Sequence, residues 1–460
     1  MRHPCRATTI AALLGATLLL ACEAKGQTTA PASEETRPQD SRTFTVNEAK
    51  LPFEALPQAQ DTDRWWGVLD GAGYRIEVPK NWNGILVMYA HGYAGAGQEL
   101  RITNPSIRAH LITQGYAWAA SSYSKNFYDV RAGVEDTNAL ALAFQGIAKK
   151  NGRALDAPRK KYIIGHSLGG HVTAAAVDAE ALETANHKVR YDGAVPMCGV
   201  LGDTELFNYF AATQIAAQQL AGFPVHQWPV GNWTVIDPAV RNALFTQFSS
   251  AATAQGEKFK TIFKNLSGGE RPMFDAGFAG ERMKTVWGAM GGNGLMGGVL
   301  TRNGYDTTAI VYRFDNTPTL TPLETAFNQA AWRIHADPEA NRPRRDGMRW
   351  IPKTNARINV PVVTIHTLGD MYVPFSMEQI YKRRADAQGT AQWLVQRAIR
   401  GTSHCDFTLD EQNEAFDAMT SWEQNGVKPE GDDVLDAATI ANPNYGCRFS
   451  SASRGGCPAP

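Results

Sequence analysis

The chain has 460 residues, with 45 basic and 45 acidic side chains and a hydrophobic fraction of 43%. This length can bury enough apolar surface for the chain to fold without a metal ion or a disulfide bond, and the composition is that of a globular protein. The formal net charge of zero argues against a nucleic-acid partner, because nucleic-acid binding needs a basic face.

Residues 1–21 predict a removable export signal. A basic start is followed by an apolar run over residues 7–20, which is too short to span a bilayer comfortably but matches the apolar region of a signal peptide. The run ends in Leu19-Leu20-Ala21-Cys22, which resembles the lipobox of bacterial lipoproteins, whose cysteine is lipidated. We therefore expect export and anchoring to the cell envelope through a lipid on Cys22 alone, with free secretion as the alternative.

Residues 22–60 are rich in Thr, Pro, Gln, Glu and Ala, a composition that predicts a flexible tether. Beyond them, predicted strands alternate with predicted helices, which implies a parallel sheet with helices on both faces. The predicted strands are 74–79, 84–90, 115–120, 161–164, 194–197, 359–365 and 392–395, and the predicted helices are 133–150, 169–185, 207–220 and 377–384.

This alternation fails in the middle of the chain, which predicts one α/β core at 61–200 and 356–430 that is interrupted by an inserted cap at 201–355. The cap is rich in Trp and Phe, and these side chains either line an apolar site or form the cap's own core. Residues 431–460 form a C-terminal tail.

Four cysteines remain beyond the signal and the lipid site, and in an oxidising compartment they allow three pairings. Cys447 and Cys457 bracket a short Gly/Ser-rich loop in the tail, so a local bond is the simplest assignment for them. That assignment leaves Cys198 with Cys405, for which two free buried thiols are the alternative. The sequence has no CxxC motif and no His/Cys ligand cluster, so we expect neither a metal site nor a cofactor.

The strongest local motif is Gly165-His166-Ser167-Leu168-Gly169-Gly170, which lies between a predicted strand and a predicted helix. A serine at such a turn exposes its hydroxyl, and the flanking glycines avoid collisions across the turn. Ser167 is therefore the candidate nucleophile.

A serine nucleophile needs an imidazole to take its proton and a carboxylate to orient the imidazole. Asp370 and His404 follow the strands at 359–365 and 392–395, in the chain order expected after such a serine, and the carboxyl ends of parallel strands meet at one edge. Asp203 is the rival acid. We interpret His166, His226, His335 and His366 as structural.

The oxyanion of a tetrahedral intermediate needs backbone donors. The residue after the serine supplies one, the N–H of Leu168. The second is expected from the glycine-containing loop after the strand at 84–90, and Tyr93 in His91-Gly92-Tyr93 is the candidate.

These motifs together resemble the α/β-hydrolase superfamily, and more narrowly its secreted bacterial esterase- and lipase-like members, over about 65–200 and 356–426. The resemblance implies the α/β-hydrolase fold with a large inserted cap or lid, and a serine hydrolase that acts through an acyl-enzyme. Small or polymeric carboxylic esters are the expected substrates. Peptidase, amidase and thioesterase activities are alternatives within the same fold, and a non-catalytic surface binding lipoprotein is the alternative of a different class.

Overall fold

The computed structural model describes residues 34–59, 61–290 and 296–457. The predicted signal peptide and Cys22 lie outside the described residues. The strands, in chain order, are β1 (Thr45–Val46), β2 (Thr62–Leu69), β3 (Ala72–Pro79), β4 (Ile85–Ala90), β5 (Glu99–Leu100), β6 (Ala117–Ser121), β7 (Lys160–His166), β8 (Gly193–Met197), β9 (Phe245–Gln247), β10 (Ala251–Ala252), β11 (Val362–Thr367) and β12 (Leu394–Ile399).

The helices, also in chain order, are α1 (Arg108–Thr113), α2 (Val130–Lys150), α3 (Leu168–Ala176), α4 (Ala179–Thr184), α5 (Glu205–Leu220), α6 (Trp233–Leu244), α7 (Ala254–Leu266), α8 (Phe274–Ala279), α9 (Glu281–Gly288), α10 (Pro322–Ala330), α11 (Ser376–Gln388), α12 (Leu409–Asn425) and α13 (Ala437–Ile440).

Eight strands form the central sheet in the order β12-β11-β8-β7-β4-β6-β3-β2. β3 runs antiparallel to both of its neighbours, and the remaining pairs are parallel. Every residue of β4 is buried, as expected for a strand that is covered on both faces. This sheet, with helices packed against it, is the α/β-hydrolase fold that the sequence predicts.

Helices cover both faces of the sheet. α2 and α3 share one hydrophobic cluster with Met88 and Ile163, whereas α1 and α12 share another with Val87 and Ile164, because neighbouring residues of a strand point to opposite faces. The predicted helix 169–185 is two helices. The break lies before Asp178, whose side chain accepts a hydrogen bond from the Glu180 N–H and so caps α4.

The insertion at 201–355 contains α5 to α10 and the antiparallel pair β9–β10. Its aromatic side chains pack on one another in edge-on and tilted contacts, which join Phe245, Phe259, Phe263, Phe278 and Trp287. These aromatics therefore form a core of the insertion itself. The same buried cluster continues into the face of the sheet that α2 and α3 cover.

The predicted tether over 22–60 is wrong in its C-terminal part, because residues 36–59 pack on the folded body. The side chain of Arg37 is buried and forms a 3.0 Å ion pair with Asp129. Gln39 is fully buried and donates to the carbonyl oxygen of Asn126 at 2.9 Å, and β1 pairs with β5. Composition alone misleads here, because the partners of these polar groups come from distant parts of the chain.

The C-terminal tail also packs on the sheet, where Ile440 and Tyr445 contact Leu368 and Phe375. Both predicted disulfides are present: Cys447–Cys457 closes the loop in the tail, and Cys198–Cys405 joins the end of β8 to the segment after β12. Within the described ranges, no helix combines the length and apolarity needed to cross a membrane.

The two disulfides should differ in their contribution to stability. Their sequence separations are 207 and 10 residues, and the chain-entropy model gives about 5 kcal/mol for the longer loop and about 3 kcal/mol for the shorter one. We expect the Cys198→Ser/Cys405→Ser variant to lose more free energy of unfolding than the Cys447→Ser/Cys457→Ser variant in urea denaturation. Equal losses would contradict this ranking.

Candidate active site

Ser167 occupies the turn between β7 and α3, with φ at 58° and ψ at −120°. A positive φ is unfavourable for serine and persists only where the surroundings impose it. A Cβ atom on Gly165 would overlap the carbonyl oxygen of Gly169, and one on Gly169 would overlap that of Ala90. Both glycines are therefore required for α3 to approach the end of β4 this closely, and that approach holds Ser167 in place.

The three predicted side chains of the candidate triad form one hydrogen-bonded line. His404 Nε2 lies 2.8 Å from Ser167 Oγ, and His404 Nδ1 lies 2.5 Å from Asp370 Oδ2. Asp370 is fully buried, whereas Ser167 is half-buried. This arrangement can move the serine proton to the imidazole and orient the ring through the carboxylate.

The carboxylate of Asp370 is held by its own turn. Its Oδ1 atom accepts hydrogen bonds from the N–H groups of Tyr372 and Val373 at 2.9 and 3.0 Å. His366 Nε2 donates to the carbonyl oxygen of Val373 at 2.7 Å. Burial acts to lower the pKa of His366, but the neighbouring Glu378 and Asp370 carboxylates raise it above its usual value. His366 thus lies beneath the turn and supports it.

The rival acid, Asp203, has another partner. It is buried and accepts a 2.6 Å hydrogen bond from Arg384 Nη1, with a further one from the Thr354 N–H. The charge of Arg384 helps to lower the pKa of Asp203 against the effect of its burial. Asp203 therefore stabilises the junction between the insertion and α11.

Among the described residues, the side chains of His166, His226 and His335 do not hydrogen-bond to Ser167, His404 or Asp370. His166 Nε2 is 3.0 Å from Gln412 Oε1, and burial lowers the pKa of His166 to about 4. His226 lines a surface cleft of the insertion, and His335 is exposed there.

Both predicted oxyanion donors lie in segments next to Ser167. Leu168 is the first residue of α3. Gly92, which precedes Tyr93, faces the serine so closely that a Cβ atom on it would lie 3.4 Å from Ser167 Cβ. The neighbouring His91 stacks on Tyr123 with ring centres 4.1 Å apart, and the Tyr123 hydroxyl donates to the His91 carbonyl at 2.9 Å, which anchors this loop.

The disulfide Cys198–Cys405 ties the histidine loop to the sheet. Cys405 directly follows His404, and the N–H of Cys198 donates to the carbonyl oxygen of Ile365 in β11 at 2.9 Å. Cys405 Sγ lies 3.4 Å from His404 Nε2. The bond therefore limits the movement of the imidazole relative to β8 and β11.

Sequence reasoning missed the contribution of the insertion to this site. The Tyr372 ring stands edge-on to the His404 ring at 5.6 Å and stacks on Phe210 of α5 at the same distance. Gly277 of α8 packs against the backbone of Gly369, directly before Asp370. Buried Arg271 donates to the Leu368 carbonyl at 2.7 Å. The only signal in the sequence was the position of Tyr372 two residues after the acid.

No protein-family model matches the sequence. The chain is 23% identical over 445 residues to an o-phthalyl amidase from Xanthobacter agilis, which covers 83% of this chain and 92% of that protein. Among solved structures it is similar to an esterase from Aspergillus oryzae (TM-score 0.47, 14% identity, 84% of this chain and 85% of that one). It is also similar to feruloyl esterase B from Aspergillus oryzae (TM-score 0.44, 16% identity, 82% and 84%).

The contact between Gly277 and Gly369 allows a test of whether the insertion positions Asp370, the candidate acid. In Gly277→Ala the added methyl group overlaps the Gly369 carbonyl and must displace α8 or the Asp370 turn. We expect the rate at which a fluorophosphonate probe labels Ser167 to fall by about tenfold or more, since misplacement by about 1 Å can cost about 100-fold. The control is Gly288→Ala in α9, where the methyl group meets open space; equal labelling rates in the two variants would contradict the expectation.

Proposed function

We propose that this protein is a serine hydrolase that cleaves carboxylic esters through an acyl-enzyme intermediate. The observation that carries the proposal is the hydrogen-bonded line from Ser167 Oγ through His404 to the buried carboxylate of Asp370. A serine hydroxyl in this arrangement can lose its proton to the imidazole as it attacks a carbonyl carbon.

In the acylation step, Ser167 Oγ forms a bond to the carbonyl carbon while its proton passes to His404 Nε2. The negative charge that develops on the carbonyl oxygen is assigned to the backbone N–H groups of Leu168 and Tyr93, and each such donor contributes about 100- to 1,000-fold in turnover. The carbon–oxygen bond to the alcohol then breaks, and His404 returns the proton to the departing alcohol oxygen. Asp370 stabilises the imidazolium without taking its proton.

In the deacylation step a water molecule takes the place of the alcohol. His404 removes a proton from the water as its oxygen attacks the acyl carbon, and the same donors hold the second oxyanion. The bond to Ser167 Oγ breaks, the proton returns to the serine, and the carboxylic acid leaves. Tyr372, packed against His404 and Phe210, keeps the imidazole covered on one side during both steps.

An amide substrate is the second candidate, and one observation favours it. The relative that spans 83% of this chain is named as an o-phthalyl amidase, and the same triad chemistry cleaves amides when the histidine protonates a departing nitrogen. Esters remain the first choice, because an alcohol is a better leaving group than an amine at the same carbonyl.

Ser167→Ala tests the mechanism. The variant retains the fold but lacks the nucleophile, so we expect its turnover of p-nitrophenyl esters and of matched amides, an o-phthalyl amide among them, to fall by about 10⁴- to 10⁶-fold. The control is Ser250→Ala at an exposed position in the insertion. Undiminished hydrolysis by Ser167→Ala would refute the mechanism.

Measuring kcat/KM of the wild-type protein for the same esters and amides separates the candidate functions. A higher kcat/KM for esters than for matched amides supports the ester proposal, and the reverse order supports the amidase. A protein that is inert towards the whole panel and towards a fluorophosphonate would instead be a non-catalytic binding protein.

We also propose that the protein is exported and lipid-anchored through Cys22. Two disulfides support the first part, because structural disulfides persist in oxidising compartments. Cells that express the protein with an alkyne fatty acid should label the wild type and not Cys22→Ser, with Cys447→Ser as the matched cysteine control. Equal labelling of wild type and Cys22→Ser would refute the anchor, and release of wild-type protein into the medium would support free secretion.

A further inference from the structure

Arg282 is an arginine placed beside the candidate triad by the insertion. It lies in the first turn of α9, is exposed, and its Nε atom donates to Ser403 Oγ at 3.3 Å. Ser403 directly precedes His404 in the chain, so the guanidinium lies next to the histidine loop. Among the side chains that the structure describes, no carboxylate pairs with Arg282, whereas Arg108, Arg153 and Arg384 each pair with one.

The positive charge of Arg282 acts on Tyr372, a residue that packs against His404. We use the name "mouth" for the surface formed by Tyr93, Tyr372 and His404. Burial raises the pKa of Tyr372 to about 12, and the positive charge of Arg282 acts against that rise. Tyr372 packs edge-on against the His404 ring, so the charge of Arg282, which is bonded to Ser403, acts close to the imidazole.

A second arginine, Arg42 in the N-terminal segment, acts electrostatically on Tyr93 of the mouth. Arg42 is half-buried, stacks on the Phe127 ring at 3.7 Å, and donates to two neutral oxygens, Gln39 Oε1 and the Gly297 carbonyl. Within the described part of the chain it has no carboxylate partner. Burial raises the pKa of Tyr93, and the charge of Arg42 opposes that effect.

Two carboxylates near the mouth, those of Asp370 and Asp406, already have partners. Asp370 is bonded to His404. Asp406, on the histidine loop, lies 3.5 Å from Arg454 and accepts from the Thr402 N–H. Arg282 and Arg42 are therefore positive charges at the mouth that bond only to neutral oxygens among the described residues, and such charges attract anionic ligands.

We propose that the substrates of this site carry a carboxylate in addition to the bond that is cleaved, and that Arg282 pairs with this carboxylate. The proposal rests on the proposed hydrolase function and names its substrate class. A guanidinium is suited to this role, because its planar donors match the two oxygens of a carboxylate. Arg42 strengthens the field at the mouth without having to touch the substrate.

The test compares two esters with the same leaving group and six-carbon acyl chain: p-nitrophenyl hexanoate, which is neutral, and mono-p-nitrophenyl adipate, which ends in a carboxylate. We expect the wild type to have the lower KM for the adipate ester. Arg282→Ala should raise that KM by about 10- to 100-fold, as expected for the loss of a charge-assisted hydrogen bond, and should leave kcat/KM for the hexanoate ester within about twofold. Arg282→Lys should recover part of the preference.

Lys284→Ala is the matched control, because it removes one positive charge from the same helix where the side chain lines a separate cleft with Trp233 and Asp237. The control should leave both KM values close to those of the wild type. Added salt should raise KM for the adipate ester and not for the hexanoate ester.

The outcomes separate the two proposals. Hydrolysis of the hexanoate ester with no preference for the adipate ester, or an equal effect of Arg282→Ala on both esters, would overturn the carboxylate proposal and leave the hydrolase proposal intact. Failure of the wild type to cleave either ester, together with failure of a fluorophosphonate to label Ser167, would overturn both.

Discussion

The close approach between the first turn of α3 and the end of β4 is the constraint on which the rest of the site depends. Gly169 packs directly on the Ala90 carbonyl, and Gly165 packs on Gly169, so no larger residue fits at either position. This contact forces Ser167 into its positive φ and brings the loop after β4 against the serine. The candidate nucleophile and both candidate oxyanion donors are thus positioned by one backbone contact at the centre of the sheet.

The insertion packs against the segments that hold the candidate triad and so supports the site. Its core continues into the core beside the sheet, α8 packs against the backbone that precedes Asp370, and α5 supports Tyr372 through Phe210. Because protein interiors transmit strain rather than absorbing it, changes in the insertion are expected to reach the carboxylate and the imidazole. The N-terminal segment joins this framework through the buried pair of Arg37 and Asp129.

The sequence predicted those parts of the fold in which the pattern of apolar residues along the chain matches the residues that are buried in the structure. The strands in the middle of the sheet are apolar runs, and the turn at Ser167 is a local motif between β7 and α3. β2 escaped prediction because its sequence, three polar residues followed by Trp65, Trp66 and a glycine, neither alternates between apolar and polar residues nor forms one apolar run. The sequence predicts a tether for the N-terminal segment because its polar groups find their partners, Asn126 and Asp129, far along the chain.

By itself, the sequence determined the local turn at Ser167 and so predicted the type of chemistry, because a serine between flanking glycines at a strand-to-helix turn is a local feature that few other arrangements explain. Only the tertiary structure decided which groups surround that serine. His404 is 237 residues away from Ser167, and the choice of Asp370 over Asp203 follows from Arg384 being the partner of Asp203. The positions of Tyr372 and Arg282 beside the imidazole also result from packing between distant segments. Sequence spacing does not report such contacts, because they depend on how helices and loops pack once the sheet has formed.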